Sequence, residues 1–93
     1  MKIRIDRSFD KDVDRIKDAK VIKKLHALIS KIAAADDIQD LPVKKIEGYT
    51  SFYRIRLGDY RLGFEARSDK DKEIVLIRIL HRKDIYRYFP IKR

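Results

Sequence analysis

The stretch Thr50-Ser51-Phe52-Tyr53-Arg54-Ile55-Arg56-Leu57-Gly58-Asp59-Tyr60-Arg61-Leu62-Gly63-Phe64-Glu65-Ala66 decides the fold. Successive side chains of a β-strand point to opposite faces, so apolar residues at every second position mark a half-buried strand. Residues 50–57 and 60–66 both alternate in this way, and Gly58-Asp59 between them is a tight hairpin signal. Tyr53, Ile55 and Leu57 form the apolar side of the first strand, and Tyr60, Leu62 and Phe64 that of the second. Arg54 and Arg56 occupy the other side, together with Arg61, Gly63 and Glu65. A hairpin with one apolar face needs a further layer to bury it.

The flanking sequence supplies that layer. Downstream, residues 73–82 predict a longer strand that is apolar on both faces at its start, as a central strand should be. Val75, Ile77 and Ile79 fall on one side of it, and Arg78, Leu80 and Arg82 on the other. Residues 68–72 read as a polar turn, and residues 83–89 as one helical turn before Pro90. Upstream, Val21, Ile22, Leu25, Leu28, Ile29 and Ile32 recur at helical spacing, Ala33 to Ala35 extend the helix, and Asp36-Asp37 with Pro42 end it. A shorter helix of about three turns carries Phe9, Val13 and Ile16 on one stripe. Ser8 is its expected N-cap, and Asp10, Asp12 and Asp14 lie in its early turns, where the helix dipole favours acidic groups. The break near Asp18-Ala19-Lys20 is short, which predicts an antiparallel helix pair. Ile3 and Ile5 alternate with Lys2 and Arg4 in a first short strand over residues 2–6. The expectation is one α+β domain over residues 1–93, ordered β-α-α-β-β-β. Its small twisted antiparallel sheet carries two N-terminal helices on one face.

Of the 93 residues, 44% are hydrophobic and 42% charged, enough apolar content for one modest core despite the charge. The net charge is +9 and unevenly spread: residues 1–53 carry +3 and residues 54–93 carry +6. Such a field attracts nucleic acid, an anionic membrane or an acidic protein. The absence of Cys excludes a disulfide framework and a thiolate metal site. No apolar run reaches the roughly 18 residues of a membrane span. The opening Met1-Lys2-Ile3-Arg4-Ile5 has no apolar run after its charges, so a cytoplasmic protein is the expectation.

If helices cover the apolar side of the sheet, the opposite side gathers Arg54, Arg56, Arg61, Arg78 and Arg82. Clustered guanidinium groups repel one another unless an anion sits among them, and their planar forks match phosphate. Gly63 between them would let a ligand backbone approach closely. Phe52, Tyr86, Tyr88 and Phe89 border this face, and aromatics beside cations are how single-stranded RNA bases are held. Phe52 and Phe89 serve equally well as closures of the core. The tyrosines, whose hydroxyl tips want water or a polar partner, are the better candidates for contact with a ligand.

The segments Glu47-Gly48-Tyr49, Phe52 to Gly63 and Leu80-His81-Arg82-Lys83-Asp84-Ile85-Tyr86 together resemble the RelE/ParE toxin superfamily, as does the order of elements over nearly the whole chain. The resemblance implies a type II toxin. It implies metal-independent cleavage of mRNA in the ribosomal A site, with the 2′-hydroxyl attacking the adjacent phosphorus, and no cofactor. By position it assigns site roles to Arg54, Arg56, Arg61, Arg82 and Tyr86, with Tyr88 the alternative to Tyr86. Arg54 and Arg56 stand where RelE-like members have lysines. Arginine does not give up a proton, so these two are electrostatic groups. Histidine side chains exchange protons near neutral pH, so His81 and Tyr86 are the candidates nearest proton transfer, although strict alternation puts His81 on the core side. Glu65 is the carboxylate on the arginine side, and His26 reads as a surface or core-edge residue.

The resemblance also implies a neighbouring acidic, RelB-like antitoxin in a tight heterodimer or heterotetramer. It would bind over the basic face or along a groove beside the helices. Two other functions compete. ParE-like relatives share the fold but inhibit DNA gyrase without cutting RNA. A plain nucleic-acid-binding module would explain the arginines but not the motif order. Membrane binding is disfavoured, because neither helix has an apolar face left over once the sheet is covered.

Overall fold

A computed structural model of the chain describes residues 1–67 and 72–90. The polar turn expected at 68–72 lies, except for Lys72, outside the described residues. The elements are β1 (Lys2–Ile5), α1 (Arg7–Arg15), α2 (Ala19–Ala34), a 3-10 turn (Ile38–Asp40), β2 (Val43–Lys45), β3 (Phe52–Leu57), β4 (Tyr60–Arg67), β5 (Glu73–His81) and α3 (Ile85–Tyr88). They form one sheet of order β1-β5-β4-β3-β2. The β3–β4 hairpin turns at Gly58, whose φ of +60° favours glycine.

The sheet is mixed rather than wholly antiparallel, because β1 runs parallel to β5. The helices carry the chain from the β1 edge to the β2 edge. The three antiparallel pairings from β2 to β5 then bring the chain back beside β1 in β1's own direction. The short strand β2 goes unmarked in the sequence reading: three residues are too few to show a period.

Asp6, not Ser8, caps α1. Its carboxylate accepts from the Ser8 N–H at 3.0 Å, and the Ser8 hydroxyl is shared between that carboxylate and the carbonyl of Ile77, 2.7 Å away. Asp18 and Asp37 cap α2 and the 3-10 turn in the same way, each accepting from the N–H two residues on. Leu25, Leu28 and Ile32 of α2, with Phe9 and Ile16, bury the apolar side made by Ile55, Leu62, Phe64, Ile74, Leu76 and Ile79. Each full burial of such a side chain contributes about 1.5–3 kcal/mol. The helix pair therefore covers one face, as the hairpin pattern requires.

The opposite face is only partly polar. Alternation in β5 is broken by a bulge: Gly63 pairs with Arg78 while Phe64 pairs with Leu76, so Ile77 is extra. The bulge puts Ile79 on the helix side with Leu76, whereas Ile77 joins a second small core with Ile85 and Phe89 on the far side. The sequence reading, which placed Val75, Ile77 and Ile79 on one face, is corrected on this point. Val75, Leu80, Phe52 and Ile46 pack against this second core. Gly63 does not leave room for a ligand. A Cβ there would lie 2.7–2.8 Å from the ring of Phe89, which occupies that space.

Candidate phosphate-binding site

The pairing of β3 with β4 sets Arg56 directly opposite Arg61, and that of β2 with β3 sets Lys44 opposite Arg54. Like charges directly opposite across strands are destabilising, so this end of the sheet concentrates positive charge at a cost to the fold. Arg61 is 8% exposed, and its Nη1 donates to the carbonyls of Gly58 at 2.9 Å and Tyr60 at 2.8 Å. Burial pushes the Arg61 guanidinium down from its usual range, and the charges of Arg56, Arg54 and Arg82 push it the same way. Arg82 follows β5, its N–H anchored on the carbonyl of Asp59 at 2.7 Å. The charges of Arg54, Arg56 and Arg82 therefore all reach Arg61.

Tyr86 joins them. Arg54 Nε donates to the Tyr86 hydroxyl at 2.7 Å, while the Tyr86 side chain remains exposed. Since the hydroxyl oxygen accepts from Arg54, its own proton is available to another acceptor. A cleft of about 340 Å³ lined by Lys44, Lys45, Ile46, Glu47, Arg54 and Tyr86 opens beside this pair. Lys44 escaped the sequence reading, and Glu47 entered it only as part of the family motif. The signal for Lys44 was its place beside Val43, one residue from a core-facing position of β2.

The remaining expected members are elsewhere. Arg78 leaves the cluster: its Nε and Nη2 donate to the two carboxylate oxygens of Asp12 at 2.7 and 2.9 Å. The bulge brings it near the sheet edge that α1 covers, and Asp12 also accepts from the N–H of Ile79 at 3.0 Å. Asp12 is thus a buried partner of β5 rather than a solvent-facing charge of the first turns. His81 pairs with Tyr60 on the helix-covered side, in an edge contact of 5.9 Å, and its Nδ1 accepts from the Lys83 N–H at 3.2 Å. The sheet separates it from the arginines. Glu65 lies toward the other end of β4 and pairs with Arg67 at 3.3 Å. Phe52 and Phe89 meet edge to face at 5.6 Å in the second core, and Tyr88 lies over Arg78. His26 is exposed on α2. Among the described residues, no group of three or more His, Cys, Asp or Glu side chains could hold a metal ion, and no helix is long and apolar enough to cross a membrane.

Comparison with known proteins identifies the family and the fold. Residues 3–86 match the family model described as ParE toxin of type II toxin-antitoxin system, parDE. The chain is 38% identical over 92 residues to Toxin RelE3 of Methanocaldococcus jannaschii, covering 97% of this chain and 100% of that protein. Among solved structures, the RelB-RelE antitoxin-toxin complex of Methanococcus jannaschii matches with a TM-score of 0.75 and 35% identity, over 94% of this chain and 99% of the matched one. The archaeal RelE-RelB complex of Pyrococcus horikoshii OT3 matches with a TM-score of 0.71 over 90% of this chain and 97% of the other, and at 22% identity it speaks for the fold alone. Sheet, helices, hairpin motif and relatives agree: the chain belongs to the RelE/ParE superfamily of type II toxin–antitoxin toxins.

Proposed function

We propose that this toxin is a metal-independent endoribonuclease that cuts mRNA in the ribosomal A site. The observation that carries the reading is the convergence of Arg54, Arg56, Arg61 and Arg82 with Tyr86 at one end of the sheet, with Arg61 destabilised by burial and then by its neighbours' charge. A phosphodiester among these groups would relieve the repulsion. As the 2′-hydroxyl attacks phosphorus, charge grows on the phosphorane oxygens, and fixed guanidinium groups stabilise that charge more than the ground state. Arg61 and Arg82 hold the phosphate, and Arg54 and Arg56 assist. The Tyr86 hydroxyl, positioned by Arg54, hydrogen-bonds the 2′-oxygen or the departing 5′-oxygen. His81, on the opposite side of the sheet, takes no part. The ends formed are a 2′,3′-cyclic phosphate and a 5′-hydroxyl.

The partner in the cell is an acidic, RelB-like antitoxin in a heterodimer or heterotetramer, in keeping with the +9 charge and with the solved RelB-RelE complex of the 35% identical relative. A second reading, gyrase inhibition, is favoured by one observation: the matching family model is described as ParE. Induction in bacteria with primer extension on a reporter mRNA separates the two. Codon-spaced cuts with the wild type, lost in Arg82→Ala, are the expected result. Growth arrest without cuts, with loss of supercoiling by gyrase, would replace the ribonuclease reading by the second.

A further inference from the structure

Arg54, Gly63 and Arg78 lie side by side in one cross-strand row, because Gly63 pairs with Arg54 on β3 and with Arg78 on β5. The C-terminal turn α3 sits across this row at three points. The Tyr86 hydroxyl meets Arg54, the Phe89 ring fills the space over Gly63, and the Tyr88 ring lies 5.5 Å from the guanidinium carbon of Arg78. Arg78 is in turn fixed by both carboxylate oxygens of Asp12, which is 2% exposed. We infer that Asp12, Arg78 and Tyr88 are positioning residues that set Tyr86 against Arg54, so that α1, on the other side of the molecule's basic end, governs the geometry of the proposed RNA-cleaving site.

α3 is too short to fix its own orientation. Four residues make one helical turn, which has no stability of its own. Ile85 and Phe89 bury against the sheet and hold the turn down, but two apolar contacts in line leave it free to roll about that line. Tyr86 and Tyr88 reach to opposite sides and remove this freedom. A cation beneath an aromatic face is attractive only if it stays under the ring, and the bidentate Asp12 contact is what keeps the Arg78 plane there. The Asp12 hydrogen bonds also push the Arg78 guanidinium up from its ordinary range, against the effect of burial. Arg78 therefore stays charged, balanced by a local carboxylate, and its flat surface serves as a seat for the Tyr88 ring.

The inference rests on Tyr86 being a site residue, and its test is built to stand apart from that. The full chain labelled with 3-fluorotyrosine gives a fluorine resonance for Tyr86, assigned by its loss in Tyr86→Phe. Tyr88→Ala, at an exposed position where folding is not at risk, should move this resonance toward the shift it takes in Arg54→Ala. Tyr88→Phe should restore it. Asp12→Asn, if it folds, should move it in the same direction as Tyr88→Ala. In ribosome-programmed cleavage, Tyr88→Ala should lower kcat about tenfold with KM unchanged, since the ring–cation contact supports alignment and not RNA affinity. An unmoved Tyr86 resonance in Tyr88→Ala overturns the positioning role, whatever the protein cleaves. A wild type that cuts no RNA overturns the ribonuclease reading, and the resonance then still decides the positioning role alone.

Discussion

Arg61 and Arg78 project from neighbouring strands on the same side of the sheet, and neither is fully exposed. Their surroundings differ in one respect. Arg61 is held by two backbone carbonyls and faces Arg54, Arg56 and Arg82. Arg78 is held by a carboxylate. The first guanidinium is destabilised by what surrounds it and the second is stabilised. A cation kept among like charges against the interest of the fold is suited to bind an anion that arrives from outside. A cation neutralised by its own chain is suited to hold elements together. The division between the proposed phosphate-binding end and the structural end thus follows from the location of one aspartate.

The comparison can be broken most severely from the structural side. Asp12→Ala leaves Arg78 without its carboxylate and removes the acceptor of the Ile79 N–H. Removing one partner of a buried ion pair costs about 3–5 kcal/mol, and urea denaturation should show a loss of that order. A loss below about 1 kcal/mol, the level of a surface pair, would mean that Arg78 is no better anchored than its neighbours. Gly63→Ala should act next in size, because the added Cβ meets a buried ring at 2.7–2.8 Å. The C-terminal turn must lift, at a cost of about 1–3 kcal/mol, and proteolysis after α3 should become faster.

The smallest effect concerns Asp6, which shares the edge of β5 through Ser8 and Ile77. The Ser8 hydroxyl and then the Ser8 N–H hold the Asp6 carboxyl below its ordinary value of 3.8. A lowered folded-state value means that the carboxylate stabilises the fold at every pH above its ordinary range. The contribution is lost as pH falls through the lowered value. Asp6→Ala should therefore be about 1 kcal/mol less stable at neutral pH, with the gap to wild type closing in acid. A gap that persists unchanged to pH ~2, well below the ordinary Asp range, would assign the effect to packing.

The arginine end was legible in the sequence because it depends on short-range facts. Period two places Arg54, Arg56 and Arg61 on one side, and Gly58-Asp59 fixes which of them face each other. The helix-covered core was legible for the same reason. What escaped depends on contacts between distant parts of the chain. The bulge at Ile77 has no local marker, so the faces of β5 were assigned by an alternation that the chain interrupts. Asp12 carries the same signal as Asp10 and Asp14, and only the approach of β5 distinguishes it. Strand β2 is too short to display a period, and with it Lys44 was missed. The second core under α3 was half visible: Phe52 and Phe89 were read as possible closures, but nothing in the sequence showed that Phe89 would lie on Gly63.

The two ends of the sheet should differ in their dealings with RNA. The salt dependence of single-stranded RNA binding measures this by counting the phosphates each variant neutralises. Arg61→Ala should reduce the slope of log K against log salt by about 0.7, the value for one contact to a single strand. The double variant Asp12→Leu with Arg78→Met, which replaces the ion pair by apolar groups, should leave the slope at its wild-type value. Equal slopes for Arg61→Ala and wild type, or a slope reduced in the double variant, would contradict the division of the arginines into a phosphate-binding end and a structural one.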